Sequence, residues 1–323
     1  MAVFTNLNQS DINQILSGYE IGSLVSFEGI AEGVENTNYK IQTNQNPYIL
    51  TIYEKRVNPN DLPFFIDLQK SLSDVGFECP KPIADKNNNF IGEIAGKKYT
   101  IVSFLSGKWK KELTIADVSK AGEMLAKFHN ITCNLPKEKF NRPNSMSIEF
   151  WRNTYDPVKS RAEEKFLKLK EAILDAYEII DFSWPQNLPK AVIHADYFPD
   201  NVLFEGGEVS GVIDFYMSCQ DFLAYDLAIA LNAWCFEPDF SFNLSKSKAL
   251  LAAYNNVRKL TKDEIKNFKT LCIGGSLRFL SSRAYDYFNR PPNAIVNVKD
   301  PAEYIAKLRF HLQVKSYEEY GLS

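Results

Sequence analysis

The sequence predicts an α+β chain, mainly antiparallel sheet at first and helical afterwards, with a hairpin set into the helical part. Three observations carry this. Short β-branched and aromatic runs fill the stretch before Gly107, apolar residues at helical spacing fill most of the stretch after it, and "VIHADYFPDNVLFEGGEVSGVIDF" (192–215) interrupts the helices with strand-like runs around a glycine pair. A chain of 323 residues suits two domains or two lobes rather than one core. The texture changes between Ser103 and Gly107, which predicts units at 1–102 and 108–323 joined by a connector at 103–107.

Each element has its own signal. "NQSDINQILSGY" reads as a short helix with Ser10 as N-cap and Gly18 near its end. "SLVSFEGIAEGVENTNYKIQT" reads as strand, loop, strand, and "NPYILTIYEKR" as a third strand. "DLPFFIDLQKSLSDVG" is a helix ended by Gly76, and "NFIGEIAGKKYTIVSFLSG" gives two strands turning at Gly96. In "TIADVSKAGEMLAKFH" one face is apolar, and Thr114 with Asp117 resembles a capping box. A charged helix is expected over about 159–180. Helices resume at "AYDLAIALNAWCF", "SKSKALLAAYNNVRK", "TKDEIKNFKTLCIGGSLRFLSSRAYDYF" and "PAEYIAKLRFHLQVKSYEEY".

Composition excludes several classes. A net charge of −3 argues against a general nucleic-acid binder, which needs a basic excess. Five cysteines without a CxxC read as reduced thiols, and three histidines far apart in sequence do not suggest a zinc site. The start "MAVFTNLNQSDINQIL" lacks a basic region followed by an apolar core, and no run approaches the about 20 apolar residues that span a bilayer. The expectation is a cytoplasmic protein with no membrane partner.

In the interrupting stretch, "AVIHAD" delivers His194 and Asp196 at the end of an apolar strand, and Pro199 keeps "YFPDN" out of regular helix. Gly206-Gly207 turns a hairpin that carries Asp214 back towards Asn201. An amide oxygen beside a carboxylate suits a hard cation such as Mg2+ held together with phosphate oxygens. Asp196 then has the separate task of orienting a hydroxyl and accepting its proton. Asp and Asn are also ordinary turn formers, but H-x-D-x4-N followed by an apolar-D-F is a specific pattern for phosphoryl transfer. His194 reads as a residue that orients its neighbours, and Asp226 in "AYDLA" as a structural group behind the catalytic strand.

This stretch, with "EGVENTNYKI", "YILTIYEKR", "DLPFF", "CPKPI", "IVSFLSGK", "GVIDFYMSCQDFLAYDLAIALNAWCFE", "RFLSSRAYD" and "KDPAEY", resembles the aminoglycoside phosphotransferase and choline kinase superfamily. Those are small-molecule kinases with the protein-kinase fold. Within them the match is close to the bacterial homoserine kinases. The resemblance implies a bilobal protein-kinase-like fold, with an antiparallel-sheet N-lobe and a mainly helical C-lobe carrying an inserted catalytic hairpin. It implies ATP as co-substrate, Mg2+ as cofactor and L-homoserine as acceptor, in threonine biosynthesis. Asp196 would correspond to the catalytic base, and Asn201 and Asp214 to the metal ligands. Asn36, Thr37 and Asn38 would lie over the phosphates, and Ser103 to Leu105 would form the adenine-binding hinge. Choline, hydroxylysine or an aminoglycoside as acceptor, and a non-catalytic nucleotide-binding module, remain alternatives. Oligomeric state is not legible.

Two points stay open. The kinase pattern pairs a strand Lys with a helix Glu, whereas the aligned positions here are Thr51 and Phe65. Loss of both together leaves no unpaired charge, but what neutralises ATP is unsettled among Lys40, Lys55 and Arg56. For an acceptor with an ammonium and a carboxylate, the helical half offers Glu237, Arg278, Arg283 and Asp286. Arg278 and Asp286 fall about 80° apart on a continuous helix, where simple surface pairing is an equal reading.

Overall fold

The computed structural model describes residues 4–30, 36–54, 58–289 and 299–322. The chain divides into two compact units, Met1–Gly107 with Ser210–Tyr216, and Lys108–Val209 with Met217–Ser323. The first unit therefore takes a short segment from the middle of the interrupting stretch.

In the first unit, helix α1 (Gln9–Ser17) is capped by Asn8 rather than by Ser10. The Asn8 side chain accepts from the Ser10 and Asp11 N–H groups, and Asp11 returns the bond in a capping box. Strands β1 (Leu24–Ile30), β2 (Thr37–Thr43) and β3 (Pro47–Ile52) follow, then helix α2 (Leu62–Asp74), β4 (Gly92–Ile94) and β5 (Lys97–Ser103). The sheet is antiparallel in the order β1-β2-β3-β5-β4. Side-chain alternation sorts its residues into two faces. Ile41, Leu50, Ile52 and Ile101 pack with Ile12 and Leu16 of α1. The register sets Asn38 opposite Thr51 and Thr51 opposite Thr100, a polar row across β2, β3 and β5.

In the second unit, α3 (Ile115–Thr132) begins with the predicted Thr114–Asp117 capping box. Helix α4 (Ile148–Tyr155) comes next. The single charged helix expected near 159–180 is two, α5 (Lys159–Lys165) and α6 (Leu169–Ser183), because Lys168 adopts φ +56° and ends the first. Strand β6 (Lys190–Ile193) leads through a turn at Pro199–Asn201 to β7 (Val202–Glu205), which turns at Gly206-Gly207 into β8 (Glu208–Val212). Both turn glycines have positive φ, as a tight hairpin turn requires. Strand β9 (Cys219–Phe222) pairs antiparallel with β6, and α7 (Leu223–Trp234), α8 (Leu244–Val257), α9 (Lys262–Phe288) and α10 (Ala302–Gln313) complete the unit. Helix α7 is buried along nearly its whole length and packs on α9. Helices α3 and α8 approach so closely at Gly122 that a Cβ there would sit 2.4 Å from the Leu250 carbonyl oxygen.

Four of the five cysteines are buried, and all five are free thiols. No helix among the described residues is long and apolar enough to cross a membrane.

The core of this unit holds a buried histidine. Asn232 Nδ2 donates to the Cys272 carbonyl, so its Oδ1 is the acceptor for His311 Nε2–H at 2.6 Å, while His311 Nδ1 takes the Tyr320 hydroxyl at 2.9 Å. Burial, reinforced by Lys307 and Lys269, holds its pKa down at about 3. The folded state keeps this ring neutral, whereas the unfolded chain protonates it below its ordinary value of about 6.5. Its contribution is complete above that value and is lost as pH falls. Between pH 7 and pH 5 urea unfolding should lose about 2 kcal/mol from this group. His311→Gln should flatten that slope, and an equally steep slope in the variant would contradict the assignment.

Candidate active site

The segment that follows β6 is held from behind by one carboxylate. Asp226, in the first turn of α7, accepts from the backbone N–H of His194 at 2.7 Å and of Ala195 at 2.8 Å. Ala195 has φ +63°, a costly conformation for a residue with a Cβ, and it persists because these bonds define it. Asp226 also takes His129 Nε2–H at 3.0 Å. His129 Nδ1 meets the Tyr254 hydroxyl at 2.7 Å, and Arg258 bridges that hydroxyl to Glu264. Glu264 in turn closes the capping box of α9 with Thr261. Burial alone would raise the Asp226 pKa, but the hydrogen bonds from His129 and from the His194 N–H outweigh it and hold the carboxylate below its usual range. Burial holds His129 below the usual histidine range. His129 was not a candidate from sequence, where a lone histidine on an apolar helix face carries no specific signal.

Asp196 projects from this braced loop and is half-buried. Asn201 Nδ2 donates to its backbone carbonyl at 2.9 Å and to its Oδ2 at 3.2 Å. Among the described residues Asp196 Oδ1 and Asn201 Oδ1 have no hydrogen-bond donor. The amide thus fixes the carboxylate and turns its own oxygen outward. His194 Nδ1 accepts the Asp196 N–H at 3.3 Å. Desolvation pushes the Asp196 carboxyl up, opposed by Arg278, His194 and Lys299.

In the first unit, Asp214 has φ +64° and an exposed side chain. Of the three loop residues expected over the phosphates, Asn38 keeps its amide nitrogen without a partner among the described residues, while its Oδ1 accepts from Thr51 at 2.8 Å. Asn36 and Thr37 are buried and committed. The Asn36 side-chain oxygen takes the Glu54 N–H, and the Thr37 hydroxyl donates to Glu54 while accepting from Phe4 and Thr5. Ser103 is committed too, its N–H to the Lys81 carbonyl and its hydroxyl to the Lys81 N–H. Leu105 retains an N–H with no partner among the described residues, and its side chain fills the space that a Cβ on Gly211 would need. Lys40 lies over the Phe104 ring at 4.7 Å. Lys55 and Arg56 lie outside the described residues.

The four acceptor-site candidates separate. Glu237 pairs with Lys246 at 2.7 Å and takes the Asn243 amide, so it closes its own loop. Arg283 is spent on Glu303 of α10 and packs on Tyr304. Asp286 is exposed, whereas Arg278 on the same helix is only 3 % exposed. Arg278 Nη1 has no acceptor among the described residues. Its charge acts on Asp196, Asp221 and Tyr225. Asp221, which the sequence reading passed over, lines a cavity of about 340 Å³ with Asn144, Trp151, Trp184 and Tyr225. Asn144 Nδ2 holds it at 2.7 Å. Its only sequence signal is an acidic residue within the short strand β9.

The profile of the phosphotransferase enzyme family matches residues 26–260. The chain is 45 % identical to the homoserine kinase of Rhizobium meliloti (strain 1021) over 322 residues, covering all of this chain and 98 % of that protein. It is 44 % identical to the homoserine kinase of Chelativorans sp. (strain BNC1), covering all of this chain and 99 % of the relative. Among solved structures, an amicoumacin kinase in complex with AMP-PNP, Ca2+ and its ligand superposes with TM-score 0.70 at 14 % identity, over 95 % of this chain and 93 % of that one. A spectinomycin phosphotransferase with ADP and spectinomycin superposes with TM-score 0.68 at 13 % identity, over 98 % of each chain. These establish a shared fold.

Replacing Asp226 by Asn would set an amide N–H against donors that now meet carboxylate oxygens. The variant should lose about 3 kcal/mol of stability in urea titration, and the His194 and Ala195 amides should exchange faster with solvent. Unchanged exchange at those two amides would remove Asp226 as the anchor.

Proposed function

Because the chain belongs to the phosphotransferase enzyme family, we propose that it is a homoserine kinase, which transfers the γ-phosphate of ATP to the hydroxyl of L-homoserine in threonine biosynthesis. The observation that carries the acceptor is that the likeness to homoserine kinases runs the whole length of the chain. The reaction belongs in the cytoplasm, with ATP and homoserine as the small-molecule partners.

Asp196 is the base. Its Oδ1 takes the proton of the homoserine hydroxyl as that oxygen bonds to the γ-phosphorus and the bond to the β-phosphate oxygen breaks, releasing ADP. Asn201 contributes by locking Oδ2, so that only one carboxylate oxygen faces the alcohol. Asn201 Oδ1 and the Asp214 carboxylate are the hard oxygen donors that fit Mg2+, the cation of such sites when phosphate oxygens complete the shell. Bound there, Mg2+ supplies positive charge to the phosphates. Asn38 offers its amide N–H groups to the phosphates, and Leu105 offers backbone groups to adenine. Lys40, on the same sheet face as Asn38, adds a positive charge.

On the acceptor side, Arg278 takes the homoserine carboxylate. A buried guanidinium with an unused N–H is costly unless something fills it, and a substrate carboxylate does so. Asp221 takes the ammonium. Both acceptor groups lie in the second unit with Asp196.

ATP consumption should be fastest with homoserine across a panel of homoserine, choline, hydroxylysine and kanamycin. Equal rates would defeat the assignment. Asp196→Asn should lower kcat by roughly 10²–10⁴-fold while ADP still binds. Because desolvation raises the Asp196 pKa and the base must be ionised, kcat/KM should fall on the acid side at a higher pH than an ordinary aspartate would give. Arg278→Gln and Asp221→Asn should each raise the homoserine KM about 10–100-fold with little change in the KM for ATP. A rise confined to ATP would place both residues elsewhere.

A further inference from the structure

The missing ion pair leaves a mechanical gap. In the kinase pattern it ties the third strand to the helix beside the nucleotide. Here Thr51 is 6 % exposed on β3 and Phe65 is 2 % exposed on α2, and neither carries charge. The position is filled from elsewhere in the sequence. Tyr216, two residues after Asp214, sets its ring edge-on to Phe65 at 5.6 Å and to Tyr53 at 5.5 Å. Its hydroxyl lies 3.1 Å from that of Tyr53 and is also close enough to the Thr51 side chain to interact with it. Tyr53 continues to Thr100 at 3.0 Å, and Thr51 donates to Asn38 at 2.8 Å. The result is two hydrogen-bonded runs side by side, Thr100–Tyr53–Tyr216 and Thr51–Asn38, along the polar row of the sheet.

We propose that Tyr216 is a positioning residue that replaces the strand–helix ion pair, tying the Asp214 segment to Asn38 through Thr51. The proposal rests on the kinase reading above. Its physical sense lies in the cost of the alternative. A buried ion pair must be desolvated, and Coulomb attraction often fails to repay that. Neutral hydroxyls on aromatic rings avoid the charge cost, and two edge-to-face contacts stiffen the brace. One run ends on the side chain proposed to meet phosphate. The other ends on Tyr216, and two residues earlier in sequence is the carboxylate proposed to meet the metal. A brace of this kind should couple metal to nucleotide without touching the acceptor.

The test is calorimetric binding of ADP with and without Mg2+, in wild type, Tyr216→Phe, Thr51→Val and the double variant. The phenylalanine keeps the ring and valine is isosteric with threonine, so both variants should fold. The gain in ADP affinity on adding Mg2+ should shrink about 3–10-fold in each single variant, with little further loss in the double variant. Metal-free ADP affinity should stay within about twofold of wild type. An undiminished Mg2+ gain in Tyr216→Phe, or an equal loss without metal, would overturn the brace while leaving homoserine turnover by the wild type intact. A wild type that binds ADP equally with and without Mg2+ would overturn the kinase reading and the brace together.

Discussion

The second unit depends on a buried carboxylate that has no solvent to lean on. Asp226 satisfies two backbone N–H groups of the loop bearing Asp196 and one imidazole N–H, all in the interior. A lone ionised group there would be costly, so each of its hydrogen bonds is needed to keep it charged. The same bonds hold Ala195 in a left-handed conformation, which turns the following residue out of the strand direction. Stability and geometry are therefore set by one group. The relay from His129 through Tyr254 and Arg258 to Glu264 extends this constraint to four helices. A chain of satisfied polar groups specifies one arrangement more sharply than apolar packing alone.

What was legible in the sequence was mostly local. The strand and hairpin signals, the Thr114 cap and the H-x-D-x4-N spacing depend on near neighbours, and the strands, the hairpin and the cap form where those signals put them. Asp226 read as a structural group behind the catalytic strand, and it accepts from the loop that follows β6. Errors arose where two local solutions compete. Asn8 and Ser10 are both good caps, and the chain uses the one that completes a box with Asp11. The break at Lys168 has no glycine or proline to announce it.

The rest was illegible because it depends on partners distant in sequence. Glu237 and Arg283 have the right chemistry for an amino-acid ligand, but each meets an opposite charge within its own structure. Asp286 is on the right helix but exposed. Arg278 differs only in being buried with a donor unused, which no spacing rule reports. Asp221, His129 and Tyr216 belong to no motif of their own, and their meaning appears only when the tertiary contacts do. Thr37 and Ser103 show the converse, since residues in a recognisable motif can be consumed by the scaffold.

The composition of the first unit has a consequence for how the protein is made. Its last piece, Ser210–Tyr216, follows residue 107 by about a hundred residues of intervening chain. A ribosome adding roughly 5–20 residues per second needs on the order of ten seconds to reach it. During that interval the nascent sheet lacks the Val212 N–H that meets the Glu78 carbonyl and the phenol ring that covers Phe65. The amino-terminal unit therefore waits, with most of its sheet already made, until Tyr216 has been added, and only the second unit waits longer.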